Sequence, residues 1–148
     1  MKTYLFLIFI VLLSSCSTTV WQLQTECESN TEEVFKHISV ALFQENFIIK
    51  ESNVSLGYLI AEHSLGKSGF LNREVVIRYW IFQVNNEKIL AKAKEVYTSY
   101  DDNGSISDVK EKYYNDETSI KDTWYWTVRN KLENICMNKV YFYKSESN

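Results

Sequence analysis

Only a few short stretches of this 148-residue chain carry side chains that could do chemistry. His37 and His63 are its two histidines. A Ser/His/Asp or Cys/His arrangement would need one of them against a nucleophile and an orienting acid. Neither sits in a nucleophile motif, so both read as surface or helix-flank residues. Ser99 to Lys110, SYDDNGSISDVK, sets Asp101, Asn103 and Gly104 at the third, fifth and sixth places of a calcium loop. Its twelfth place is Lys110, which cannot ligate the ion, so the stretch reads as a turn leading into a short helix. Glu62, Glu74, Asp101 and Asp102 fall at strand ends, and nothing pairs two of them across a pocket as glycoside hydrolysis requires. Gly66-Lys67-Ser68-Gly69 contains a GKS triplet, but Glu62 stands where a phosphate loop needs its first glycine. The expectation is no catalytic residue, no metal site and no bound cofactor.

Trp124-Tyr125-Trp126 differs in kind. At about 100° per residue, Trp126 lies about 200° round a regular helix from Trp124, so both rings cannot face one core. Either Tyr125 and Trp126 belong to an exposed surface that would suit a partner, a ligand groove or the membrane interface, or Trp126 lies against the Ser107 to Tyr114 segment. Arg78, Lys92 and Lys94 are likewise either a basic patch on one sheet face or part of a solvated face.

The elements that position these residues follow from periodicity. Ser29 with Glu32, or Asn30 with Glu33, offers a capping box. Val34, Phe35, Ile38, Ala41 and Leu42 then recur at helical spacing up to about Asn46. Phe47 to Lys50 begins a strand that Glu51-Ser52-Asn53 interrupts. In residues 54–63 Leu56, Tyr58 and Ile60 alternate, with Gly57 allowing a bulge or a close backbone approach. Residues 64–72 read as a flexible loop. Glu74 to Val84 is apolar on both faces and therefore central. Asn85 to Lys88 makes a hairpin turn, and Ile89 to Tyr100 returns with Ala91, Ala93 and Tyr97 on one face and Lys92 and Lys94 on the other. A short helix over Ser107 to Tyr114 follows. A long one over Ser119 to Met137 carries the stripe Ile120, Trp124, Val128, Leu132 and Ile135. The expected fold is α+β: a four-stranded antiparallel meander in the order α-β-β-β-β-α, with the N- and C-terminal helices packed on one face.

Composition limits the partners. The formal net charge is −3, and there is no basic block to neutralise phosphates, which argues against nucleic acid. Proline is absent and glycine occurs only 4 times, so nothing resembles a linker inside the domain.

The N-terminus is the most specific feature. Lys2, an apolar stretch from Tyr4 to Leu13 and then small residues form the three-part layout of an export signal. The ten apolar residues fall short of the roughly 20 that a spanning helix needs. Leu13-Ser14-Ser15-Cys16 resembles the lipobox of bacterial lipoproteins. The resemblance implies cleavage before Cys16, a diacylglyceryl group on its thiol and an acyl chain on its new amine. Ser17, in place of an aspartate, favours the outer membrane facing the periplasm where there is one. The alternative is an ordinary secreted protein with an incidental Cys16.

Under this resemblance residues 1–15 are a signal peptide and 16–28 a lipidated N-terminus and tether, although Trp21 and Leu23 could also form an edge strand. Residues 29–142 form a single domain and 143–148 a disordered tail. Cys27 and Cys136 are then left as an even pair, either a disulfide in an oxidising compartment or two separate buried thiols; with no histidine cluster they do not make a zinc site. The layout is also similar to the helix-grip domains of BamC-like envelope lipoproteins, on the stretches Phe47-Ile48-Ile49 and Gly57-Tyr58-Leu59-Ile60-Ala61. Together these imply a lipid-anchored envelope protein whose domain is a non-catalytic binding or assembly module for another envelope protein. Two alternatives stay open: a small hydrophobic-ligand binder using the sheet–helix groove, and an envelope enzyme with an unrecognised site.

Overall fold

The computed structural model describes residues 19–68, 73–85 and 88–146. Seven strands and two helices follow in the order β1 (Thr19–Glu26), α1 (Thr31–Gln44), β2 (Ile48–Asn53), β3 (Tyr58–Ser68), β4 (Glu74–Val84), β5 (Lys88–Tyr100), β6 (Ile106–Tyr113), α2 (Thr123–Cys136) and β7 (Tyr141–Glu146). The strands form one sheet in the order β2-β3-β4-β5-β1-β7. One edge of β5 is shared: its residues 88–91 pair with β1 and residues 94–100 with β6. Every described pairing is antiparallel. The fold is α+β, as expected.

Local chemistry explains the elements that were legible. Asn30 caps α1, its side chain accepting the Glu33 N–H at 2.9 Å, and Glu32 and Glu33 suit the positive end of the helix dipole. Val34, Phe35, Ile38, Ala41 and Leu42 are all buried. Gly57 adopts φ +64° at the turn between β2 and β3, where a Cβ would overlap the Val84 carbonyl. Its own carbonyl accepts the Val84 N–H at 2.6 Å. β4 lies between β3 and β5, as its doubly apolar sequence requires.

Several expectations are corrected. Among the described residues the sheet has seven strands rather than four, and a strand precedes α1 and another follows α2. Residues 19–26 of the expected tether form β1, and residues 143–146 of the expected tail belong to β7, which pairs along β1. Glu51-Ser52-Asn53 does not interrupt β2; the register shifts between Ile49 and Glu51 and pairing resumes. Residues 64–68 continue β3 through a second shift between Ser64 and Lys67. On β3 the buried residues are Leu59 and Ala61, and Leu56 is exposed in the turn. Residues 107–114 are no helix. Asp101 Oδ1 accepts the N–H groups of Asn103 and Ser105, Gly104 takes φ +80°, and the chain doubles back as β6. The last helix starts at Thr123 rather than Ser119, which leaves Ile120 in a turn and exposed.

By register, Leu59 opposes Phe82, Ala61 opposes Trp80, Phe82 opposes Ala91 and Trp80 opposes Ala93. These residues share one sheet face, and they form a single core with the inner stripes of α1 and α2. Cys27, just past β1, is bonded to Cys136, the last residue of α2, with Cα atoms 4.5 Å apart. In the chain-entropy account, closing a loop of about 100 residues stabilises a fold by about 4–5 kcal/mol.

Candidate functional site

The two faces of the sheet present different chemistry. On the covered face, Trp80 stacks on Tyr125 and Phe82 with ring centres 5.6 and 5.5 Å away. Trp124 meets Trp80, Phe47 and Tyr114 at 5.9, 5.7 and 5.0 Å. These side chains occupy the space between sheet and helices where an apolar ligand would have to lie. Where this aromatic layer ends, Glu95 is buried on the same face. It accepts hydrogen bonds from Arg78 Nε at 2.9 Å, Tyr114 OH at 2.6 Å and Tyr97 OH. Arg78 also lies over the Trp124 ring, 5.1 Å from its centre.

Burial alone would raise the Glu95 carboxyl, but the hydrogen bonds from Tyr114, Tyr97 and Arg78 outweigh it and hold the group below its ordinary value. Tyr97 is pushed up to about 12 by burial and by its bond to Glu95. Three donors occupy most of the carboxylate's acceptor positions and fix its orientation. The cluster is a lock on the packing.

A second lock holds the segment before α2. Arg129 donates to Asp116 Oδ1 at 2.7 Å, to Glu133 Oε1 at 2.9 Å and to the Val140 carbonyl at 3.4 Å. Tyr125 OH donates to the same Asp116 oxygen at 2.8 Å.

The opposite face carries no helix among the described residues. Across β3 to β6 it presents half-buried Ile60, Ile77, Ile81, Leu90 and Val96. One cross-strand row is polar and aromatic: Glu62 opposes Tyr79, Tyr79 opposes Lys94, and Lys94 opposes Tyr113. Lys50 Nζ pairs with Glu62 at 3.0 Å and Lys94 Nζ with Glu111 at 2.6 Å. The Lys94 ammonium lies 5.9 Å from the Tyr79 ring centre and 5.8 Å from that of Tyr113. The Lys94 hydrogen bond lowers the Glu111 carboxyl, while burial and the Glu111 bond push Tyr113 up to about 12. The open face thus combines aliphatic area, tyrosine rings and a few paired charges.

The residues singled out from sequence fall as follows. Cys16 and residues 1–15 lie outside the described residues. Tyr125 is fully buried and offers nothing to a partner. Trp126 is half-buried; its indole N–H donates to the Ser119 carbonyl at 2.7 Å and Arg129 lies 5.0 Å from its ring centre. It therefore packs against the segment just before α2 rather than against residues 107–114. Lys92 and Lys94 share the open face, but Arg78 opposes Glu95 and lies on the covered one. The three do not form one patch.

His37 is half-buried on α1, and His63 meets Phe47 edge-on at 5.6 Å. Of the acids expected at strand ends, Glu62 lies within β3 and is paired with Lys50, and Asp102 lies in the turn after β5 and is paired with Arg73. Among the described residues no three of His, Cys, Asp and Glu are placed to hold one metal ion, and no helix is long and apolar enough to cross a membrane.

Sequence reasoning missed Glu95, Tyr114, Asp116 and Arg129. For Glu95 a signal existed: it has the parity of Ala91, Ala93 and Tyr97, a charge on the inward face that demands partners. The chain matches no protein-family model, no curated protein and no solved structure.

Proposed function

We propose that this chain is a lipid-anchored lipoprotein of the bacterial cell envelope, and that its domain is a non-catalytic binding or assembly module. Leu13-Ser14-Ser15-Cys16, directly behind an apolar stretch of export-signal length, carries this reading. Cys16 receives the diacylglyceryl and N-acyl chains, and the protein faces the periplasm from the outer membrane where one exists. The Cys27–Cys136 bond supports an oxidising compartment. Thr19 opens β1 three residues after Cys16, so at about 3.5 Å per residue the sheet starts within about 11 Å of the anchor.

The open face, with Tyr79, Lys94 and Tyr113 at its centre, is the surface for another envelope protein. The filled space between sheet and helices favours a protein partner over a small apolar ligand, and a Glu95 held by three donors favours binding over catalysis. Radiolabelled palmitate should be incorporated by the wild-type chain and not by Cys16→Ser, which should leave the membrane fraction. Unchanged fractionation of Cys16→Ser would sink the anchor. For the face, Tyr79→Ala and Lys94→Glu should each lose the protein that co-purifies from membranes with the wild type; retention by both would rule out the open face as the binding surface.

A further inference from the structure

The strand β6 has a free edge, and we infer that this edge pairs with the β6 edge of a second copy of the chain. Among the described residues β6 is hydrogen-bonded on one side only, to β5. Residues 106–112 are exposed, including the apolar Ile106 and Val109.

The direction of the free amides follows from the register. Tyr114 N–H donates to the Ala93 carbonyl at 2.9 Å, and Tyr113 opposes Lys94. In an antiparallel ladder hydrogen-bonding residues alternate. Asp108, Lys110 and Lys112 therefore turn their amides toward β5, and Ser107, Val109 and Glu111 turn theirs outward. Two copies related by a two-fold axis at Val109 would pair outward amide with outward amide, forming about six hydrogen bonds. Within one chain Asp108 pairs with Lys110 at 2.9 Å; in that register Asp108 of each copy also lies directly opposite Lys110 of the other, at the closer, non-hydrogen-bonded positions, so the two pairs join into one four-charge cluster of alternating sign. The two neighbouring registers that keep the amides matched oppose Lys110 with Lys110, or Asp108 with Asp108. The first of these still sets Asp108 opposite Lys112, so the charges favour the Val109 register over it by one like-charge pair and over the second by more.

The β2 edge contrasts with this. A register shift at Lys50 breaks its regularity, as protected edges commonly are. β6 keeps an unbroken register with β5 from Tyr113 to Asp108. The interface is isologous, as a two-fold dimer requires. An edge this short buries less than a standard interface of about 1,200–2,000 Å², so the dimer should dissociate on dilution.

Sedimentation velocity on the full chain in detergent, over a concentration series, tests this. The wild type should shift from monomer to dimer. Asp108→Lys and Lys110→Asp should each weaken association by roughly tenfold or more, since each places two like-charge pairs in the interface. An equimolar mixture of the two variants should restore it, because in a mixed pair each introduced charge meets its opposite across the two-fold axis. Both side chains are exposed, and the fold of each variant is checked by circular dichroism. Val109→Cys gives an independent reading: its Cα should lie about 5.5 Å from its copy, within disulfide reach, so a cross-linked dimer should form on oxidation. A wild type that stays monomeric throughout, variants that associate as well as the wild type, a mixture that is not restored, or a Val109→Cys that does not cross-link would each overturn the inference.

Discussion

The covered and open faces of the sheet are built by the same strands and differ in how their charges are held. On the covered face Glu95 is surrounded by Arg78, Tyr97 and Tyr114, and each contact adds to a packed aromatic layer. On the open face Lys50 pairs with Glu62 and Lys94 with Glu111 across strands; Lys50 and Glu111 are exposed, Glu62 is half-exposed, and only the Lys94 stem is largely covered. Burial makes the difference. An inward charge must be fully partnered to exist at all, whereas an outward pair contributes little to stability and stays free for a partner. β4 shows this within one strand: Trp80 is enclosed while its neighbours Tyr79 and Ile81 face outward and half-exposed. The covered face should therefore govern stability, and the open face binding.

The largest effect should come from Trp80→Ala, which removes the ring that stacks on both Tyr125 and Phe82. A loss of about 3–5 kcal/mol is expected in denaturant unfolding, and a loss below ~1 kcal/mol would mean that the aromatic layer does not hold the fold. Glu95→Gln keeps the shape but strands the Arg78 guanidinium. Arg78 is only partly buried, so about 2–3 kcal/mol is expected, less than for a fully enclosed pair.

The same group sets a pH dependence. Glu95 is held below its ordinary value in the fold. Its contribution is therefore complete above the unfolded value, about 4.3, and is lost as pH falls through the lower folded value. The acid limb of wild-type stability should flatten in Glu95→Gln, and equal limbs would remove Glu95 as its source. The smallest effect on stability belongs to the open face. Lys50→Ala, which removes the exposed cation of the open-face pair with Glu62, should change unfolding by less than about 1 kcal/mol. A larger loss of stability would erase the contrast between the faces.

How much of this was legible depends on how far the information travels along the chain. The α1 cap at Asn30, its inward stripe and the close approach at Gly57 are local and were readable. The register of β4 against β5 was readable too: with Val84 and Ile89 flanking the turn, Arg78 must oppose Glu95 and face away from Lys92 and Lys94. Treating the three cations as one patch overlooked that parity.

β6 was hidden because Ser107 to Tyr113 is mostly polar and Ile106, Val109 and Tyr113 fall at the i, i+3, i+7 spacing of a helix. The Asp101–Gly104 turn was its only local signal. The places of β1 and β7 in the sheet were not legible, since β1 pairs with β5 more than 60 positions away and with β7 more than 100 positions away. The Asp116–Arg129–Glu133 knot was likewise invisible, because it needs the turn before α2 to fold back on the helix.

The lipid anchor, on which the proposed function stands, is open to intact mass spectrometry of the chain extracted from membranes. A mature protein whose first residue is Cys16, carrying a diacylglyceryl group on sulfur and an acyl chain on its amine, is the predicted result. A chain that retains residues 1–15, or begins at an unmodified residue, would contradict it.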